Sequence, residues 1–282
     1  MLEIDYSSLN KILIDKYGRV SGIFAINKKK GEMSHDLVDV VRDKFKTRKV
    51  GHAGALDPFA EGLMLILVGE FTKKSDMLIN EGKSYICDIV LGIETDSHDV
   101  EGNIIKIDEN FQFSKELLEK VVKRLNKNYI QYVPIFSSVK VNGMRLRELA
   151  RNSIKYEVIQ KNDKKIVRFE LGVNAPRKFI NKSENNILEV ELPFRRVKLN
   201  IKPIKYRKVP LNMLIGMNID KSIELNVITM KIDCSKGTYI RQLAYDVGVE
   251  LGSVGMVYSL IRTRIGKITY EHAINIEDLK EL

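Results

Sequence analysis

The sequence predicts an α+β fold built on a mixed, mostly antiparallel central sheet flanked by helices and loops. Three observations predict it. Segments that alternate with a strand period, such as Lys83 to Leu91 and Val227 to Cys234, are interspersed with segments of helical spacing, such as Ser114 to Asn126. They do not follow the regular strand-helix-strand rhythm that builds a parallel sheet. No unit of roughly 20 to 50 residues recurs, which excludes solenoids and propellers. The 282 residues, 44% of them hydrophobic, suffice for a sizeable core in two domains or one large one.

Taken in chain order, residues 1–20 are charged and weakly periodic and read as an N-terminal arm, either a strand or a loosely docked segment. Ser34-His35-Asp36 precedes an apolar stripe of Leu37, Val38, Val40, Val41 and Phe45, a helix of about three turns with Ser34 or Asp36 placed to accept its first N–H groups. Gly51 to Gly62 is a turn-rich loop, and Leu63 to Val68 after it is short enough for a buried strand. In Lys83 to Leu91, Tyr85, Cys87, Ile89 and Leu91 share one face and Ile86, Asp88 and Val90 the other, and Gly102-Asn103 marks a turn. Leu117, Leu118, Val121, Val122 and Leu125 define an amphipathic helix.

Between Ile154 and Pro210, lysine, asparagine and β-branched residues are punctuated by Pro176, Pro193, Pro203 and Pro210, predicting short strands joined by exposed loops. Its Lys-rich part, about 156–189, reads as an insertion in the sheet. Ile228, Met230, Ile232 and Cys234 then alternate as a half-exposed strand. Ile240, Leu243, Ala244, Val247 and Leu251 form a helix stripe ending near Gly252.

The 47 Lys and Arg against 37 Asp and Glu give a net charge of +10, which points to an acidic partner. The longest apolar run, Leu63 to Val68, is far short of the ~20 residues of a membrane helix. Glu3, Asp5, Lys11 and Asp15 interrupt any signal peptide, so a cytoplasmic protein away from the membrane is expected. Cys87 and Cys234 cannot build a disulfide framework and read as buried thiols. Gly82-Lys83-Ser84 imitates the end of a phosphate-binding loop, but its first glycine would fall at Met77. The four histidines are scattered and His52-Ala53-Gly54 lacks the glutamate of a zinc deaminase, so no metal is expected.

What remains is Gly51-His52-Ala53-Gly54-Ala55-Leu56-Asp57-Pro58-Phe59-Ala60-Glu61-Gly62. Asp57 followed by Pro58 fits the start of a short helix. Alongside it stand Tyr85, opening a strand, and Cys234 to Arg241, a strand-to-helix turn carrying Tyr239 and Arg241. One carboxylate, two aromatics and one arginine are what an enzyme acting on an extruded base requires. Stacking of ~1 to 3 kcal/mol per base offsets the cost of flipping.

That segment closely resembles the catalytic motif of the TruB-type tRNA pseudouridine synthases, which isomerise the T-loop uridine at tRNA position 55. Lys28 to Ser34 resembles the family's K-P-x-G-x-T-S box, and Lys83 to Gly102 its K-x-Y strand and T-D-x-x-D-x-x-G loop. Gln131 to Lys140 is similar to Q-x-P-P-x-Y-S-A-x-K, Cys234 to Arg241 to C-S-K-G-T-Y-I-R, and Leu260 to Gly266 to L-R-R-T-x-x-G. The resemblance implies a pseudouridine-synthase-like fold, no cofactor, and a monomer acting on the T-arm of tRNA.

By the same resemblance, Asp57 is the catalytic carboxylate, Arg241 pairs with it and Tyr85 packs on the base. Tyr239 and Leu260 line the pocket, His52 contacts the opened T-loop and Lys28 contacts substrate. An arginine beside a carboxylate in an apolar pocket favours the ionised form that a nucleophile or base needs. Lys29 and Met33 replace the family's Pro and Thr, Ala55 a Thr, Val133 a Pro, Phe136 a Tyr and Ile261 an Arg; none removes a catalytic group. Sixteen residues follow Gly266, so no C-terminal PUA domain is expected. The Lys-rich insertion with Arg195, Arg196 and Lys198 is expected to supply phosphate contacts instead. The alternative is a tRNA-binding or tRNA-folding chaperone with little catalysis.

Overall fold

The computed structural model describes residues 6–161, 164–172, 174–211 and 223–281. Six long strands and three helices position the site. They are β1 (Val20–Lys28), α1 (Ser34–Phe45), β2 (Glu61–Val68), β3 (Lys83–Leu91), α2 (Lys115–Lys127), β4 (Leu199–Pro210), β5 (Glu224–Cys234), α3 (Ile240–Glu250) and β6 (Gly255–Ile265). The sheet runs in the order β1, β2, β6, β3, β5, β4, with the two-residue strand Leu13–Ile14 on the free edge of β1. Of these contacts only β2 with β6 is parallel, with Ile261 opposite Glu61 and Arg262 opposite Gly62. The expected mixed, mostly antiparallel sheet is therefore present, and residues 6–20 of the arm run along its edge.

The alternation read in β3 and β5 sorts their side chains by face. Tyr85, Cys87, Ile89, Leu91, Ile228, Met230 and Ile232 join one buried cluster. Onto it pack Leu118, Val121, Val122 and Leu125 of α2 and Ile240, Leu243, Ala244 and Val247 of α3. Leu117, counted in the apolar stripe of α2, instead points outward and is exposed. Ser114 caps α2 by accepting the Leu117 N–H at 3.1 Å. Around β1 and β2 a second cluster gathers Phe24, Ile26, Met64 and Ile66 under Leu37, Val38 and Val41 of α1.

One expectation changes here. Pro203 and Pro210 do not separate short strands but lie within the twelve-residue β4, which is an edge strand with a bulge between Pro203 and Lys205. An edge position and a bulge are where a residue without an N–H is tolerated. The Lys-rich stretch lies in a folded unit: Ser153–Lys161, Lys164–Leu171 and Ile187–Glu191 form a separate antiparallel sheet. Its own core, with Leu146, Leu149, Val167, Phe169, Phe179 and Val190, reaches back to Val133. The charges there are partly neutralised, because Lys164 pairs with Glu191, Arg168 with Glu189 and Lys178 with Glu148.

Cys87 and Cys234 are buried and unbonded to each other, and burial pushes both thiols up, Cys234 to about 11. Among the described residues, no helix is long and apolar enough to cross a membrane.

Candidate active site

The loop between His52 and Glu61 is held from below at almost every residue. Ala53 donates its N–H to Leu65 O at 2.9 Å. Gly54, at φ +99°, turns the chain so that its carbonyl and that of Ala55 accept from the Arg262 guanidinium at 3.0 and 3.3 Å. Ser34 Oγ takes the Leu56 N–H at 3.0 Å and donates to the Leu56 carbonyl at 2.9 Å. The Pro58 carbonyl accepts from the Gly31 N–H, and Ala60 N–H closes a turn onto Asp57 O. Asp57-Pro58 thus begins a turn and not the short helix that the pair of residues also allowed.

Lys28 departs from its expected place at the substrate. It is completely buried and donates from Nζ to the carbonyls of Lys29 at 3.2 Å, Pro58 at 3.1 Å and Ala60 at 2.6 Å. Those three acceptors satisfy an ammonium that burial would otherwise discharge, and burial is also the main cause of its lowered pKa. Its position opposite Gly62 on β1, at the inward end of a strand, directs it under the loop. Ser34 likewise does not cap α1, whose cap residue is Met33, because its hydroxyl serves Leu56.

Arg241 lies in the first turn of α3 with its side chain 8% exposed. Nε donates to Asp57 Oδ2 at 2.9 Å, Nη1 to Ser97 O at 2.9 Å and Nη2 to Phe136 O at 3.0 Å; Asp99 Oδ2 stands 3.5 Å from Nη1. One guanidinium therefore fixes three chain segments around the carboxylate. Asp57 itself is 43% exposed, so the pair contributes orientation more than stability. Asp99 is 5% exposed, and burial raises its pKa against the opposing pull of Ser97 and Arg241.

Tyr85 sits opposite Ile232 on one side and Arg262 on the other. Burial pushes its phenol up to about 12 against the opposing charge of Arg262, so the hydroxyl stays protonated. Arg262 is 1% exposed and also donates from Nε to Leu63 O at 2.7 Å. It joins the tyrosine to the loop that carries Asp57.

Tyr239 is held through its backbone. Its N–H donates to Gln131 Oε1 at 2.7 Å and its carbonyl accepts from Gln131 Nε2 at 2.9 Å. Gln131 in turn leans on Tyr129, whose hydroxyl donates to Asp246 of α3 at 2.6 Å. The Arg195 guanidinium carbon lies 5.7 Å from the centre of the Tyr239 ring.

Asp57, Tyr85, Tyr239, Arg241 and Leu260, spread over the sequence from residue 57 to residue 260, line one cleft of about 260 Å³. A second depression of about 360 Å³ shares Asp57, Phe136, Arg147 and Arg241 with it, so the carboxylate stands where the two meet. His52 lines neither. It ends the strand Val50–His52, half-buried, with Nδ1 lacking a hydrogen-bond partner, and burial and then Arg262 lower its pKa. Arg262, Asp99 and Gln131, given no role of their own from the sequence, and Ser34, read there as a helix cap, all stand in the motifs that resemble the family's.

This arrangement has known counterparts. The model of the TruB family pseudouridylate synthase, N-terminal domain, matches residues 42–184. The tRNA pseudouridine synthase B of Clostridioides difficile (strain 630) is 34% identical over 258 residues, covering 92% of this chain and 70% of the relative. That of Mycoplasma capricolum is 36% identical over 261 residues, 92% of this chain and 73% of the relative. Among solved structures, a Cbf5-Nop10-Gar1 complex superposes with a TM-score of 0.56 at 20% identity over 92% of this chain. An H/ACA RNP bound to a substrate RNA containing 2'-deoxyuridine gives 0.53 at 18%. The chain spans 54% and 52% of those two solved chains, and likeness at that identity speaks for the fold.

Fold and relatives together define a pseudouridine synthase, an isomerase of RNA uridines. Within that class, the chain belongs to the TruB family.

Proposed function

We propose that the chain converts the uridine at position 55 of the tRNA T-loop into pseudouridine, acting as a cytoplasmic monomer with Asp57 as its single catalytic carboxylate. The observation that carries this reading is the state of that carboxylate. Oδ2 is tied to Arg241 Nε, whereas Oδ1 has no hydrogen bond among the described residues and belongs to a cleft walled by Tyr85, Tyr239 and Leu260. A half-exposed carboxylate with one oxygen fixed and the other open is positioned to react.

The reaction breaks the N1–C1′ bond, turns the uracil and joins C5 to C1′; N1 gains a proton and C5 loses one. Its atoms balance without an external oxidant or group donor. Attack of Asp57 on C1′ and removal of the C2′ proton both ask for one ionised oxygen at the ribose. Arg241 supplies the countercharge and holds the carboxylate in place. The Tyr85 ring offers the stacking face for the base, with Leu260 and Tyr239 completing the enclosure. His52 contacts the opened T-loop from beside the cleft. Arg195 and Arg196, on the exposed strand Phe194–Val197, contribute phosphate contacts.

The test is tritium release from T-arm hairpins labelled with 5-³H-uridine at single positions. Release confined to the uridine equivalent to position 55 is the expected result. Release from stem or other loop uridines at the same rate contradicts the T-loop assignment, and no release from any hairpin contradicts the activity on this substrate.

A further inference from the structure

The helix Leu146–Arg151 buries Leu146, Leu149 and Ala150 in the core of the smaller sheet and leaves Arg147 on the side of the site. Arg147 lines both depressions that meet at Asp57. Its backbone is anchored, since the Arg147 N–H donates to Ser137 O at 3.0 Å, one residue beyond the Phe136 carbonyl that accepts from Arg241. Arg145 and Lys178 pair with Glu148 of the same helix, whereas among the described residues no carboxylate lies within 4.0 Å of the Arg147 guanidinium.

The need for such a group follows from the charges around it. Asp57, Asp96, Asp99 and Glu101 all line the second depression, and Arg241 is committed to Asp57, Asp99 and two carbonyls. A polyanion that places a ribose at Asp57 brings a phosphate on each side of that ribose toward four carboxylates. A guanidinium with its donors uncommitted, shared by both depressions, is the side chain whose fork matches phosphate oxygens.

We propose that Arg147 binds a backbone phosphate flanking the target nucleotide and so seats the ribose at Asp57. This rests on the reading of the cleft as a uridine site. It makes Arg147 a substrate-contacting residue supplied by the smaller sheet's unit.

The experiment compares a T-arm hairpin with two versions carrying an uncharged methylphosphonate 5′ or 3′ of the target uridine, bound to the native chain and to Arg147→Gln. Affinity is read by fluorescence anisotropy and turnover by tritium release. For the native chain, one of the two methylphosphonates is expected to weaken binding about tenfold. Arg147→Gln should bind the unmodified hairpin about tenfold more weakly, bind that methylphosphonate version no more weakly still, and lose about one phosphate from the salt dependence.

An Arg147→Gln loss of equal size on all three RNAs, or no loss on any, overturns the proposal. Arg147→Lys, which keeps the charge, should recover most of the affinity if the role is phosphate binding; no recovery, with a native circular-dichroism spectrum and melting temperature, overturns it. Absence of tritium release from the native chain would refute the proposed reaction, while the anisotropy arms would still decide the role of Arg147.

Discussion

Ser34 and Leu56 are joined twice through one hydroxyl, which accepts the Leu56 N–H at 3.0 Å and donates to the Leu56 carbonyl at 2.9 Å. Both residues are buried, and Leu56 is the neighbour of Asp57 in the chain. A single side chain thus fixes the N–H and the C=O of Leu56, one in each of the two peptide units that lead to Asp57. Removing the hydroxyl leaves a buried donor and acceptor unpaired, at a cost of about 1 to 3 kcal/mol. Ser34→Ala should lower the unfolding free energy read from urea titration by that amount and reduce single-turnover tritium release more than RNA affinity. An unchanged rate in a destabilised variant would show that the hydroxyl serves folding alone.

Arg262 concentrates a larger effect in one position. It is buried, and its donors meet the carbonyls of Gly54, Ala55 and Leu63. Arg262→Met removes a charge and orphans those three carbonyls, and each buried acceptor left unpaired costs about 1 to 3 kcal/mol. The backbone at this point is equally constrained. Gly62 has φ +107°, and a Cβ there would meet Arg262 O at 2.5 Å, across the one parallel contact between β2 and β6. Gly62→Ala should destabilise by about 2 kcal/mol through strain and overpacking. Thermal unfolding of the two variants checks both values.

A third expectation concerns acid. His98 is 17% exposed, stacked on Tyr245 at 4.3 Å between ring centres, and burial, then Arg241 and Lys165, push its pKa from 6.5 to about 4. The 3.9 Å approach of Glu94 is therefore not an ion pair at neutral pH. Because the unfolded chain takes up this proton first, the stability tied to neutral His98 is complete above about 6.5 and is lost as pH falls toward about 4. The full window corresponds to about 3 kcal/mol. His98→Asn, an exchange suited to the φ of +59° at this residue, should flatten the urea-unfolding stability between pH 6.5 and 4 relative to the native chain. An unchanged slope would place the proton elsewhere.

Much of the frame was legible because period and burial coincide. β3, β5, α2 and α3 each present an apolar stripe to one shared cluster, so residue spacing alone locates them. The cleft was legible for a different reason: its residues stand in motifs that resemble a known family. Lys28 was misplaced because an exposed and a buried lysine look alike in sequence. Only the arrangement of Lys29, Pro58 and Ala60 carbonyls around Nζ shows which it is. Ser34 was misread for a similar reason, since its hydroxyl suits a helix cap and is taken by a residue 22 positions away. Pro203 was read as a break because an edge strand cannot be told from a loop before its neighbours are known.

The central claim is that the open oxygen of Asp57 performs the chemistry. Asp57→Asn keeps the size and removes the charge while Arg241 retains Ser97 O, Phe136 O and Asp99. Tritium release from 5-³H-uridine in a T-arm hairpin, followed at saturating enzyme with RNA binding monitored in parallel, tests it most directly. Release by the native chain and none by Asp57→Asn at near-native RNA affinity is the expected result; equal release by both proteins would rule out Asp57 as the reacting group.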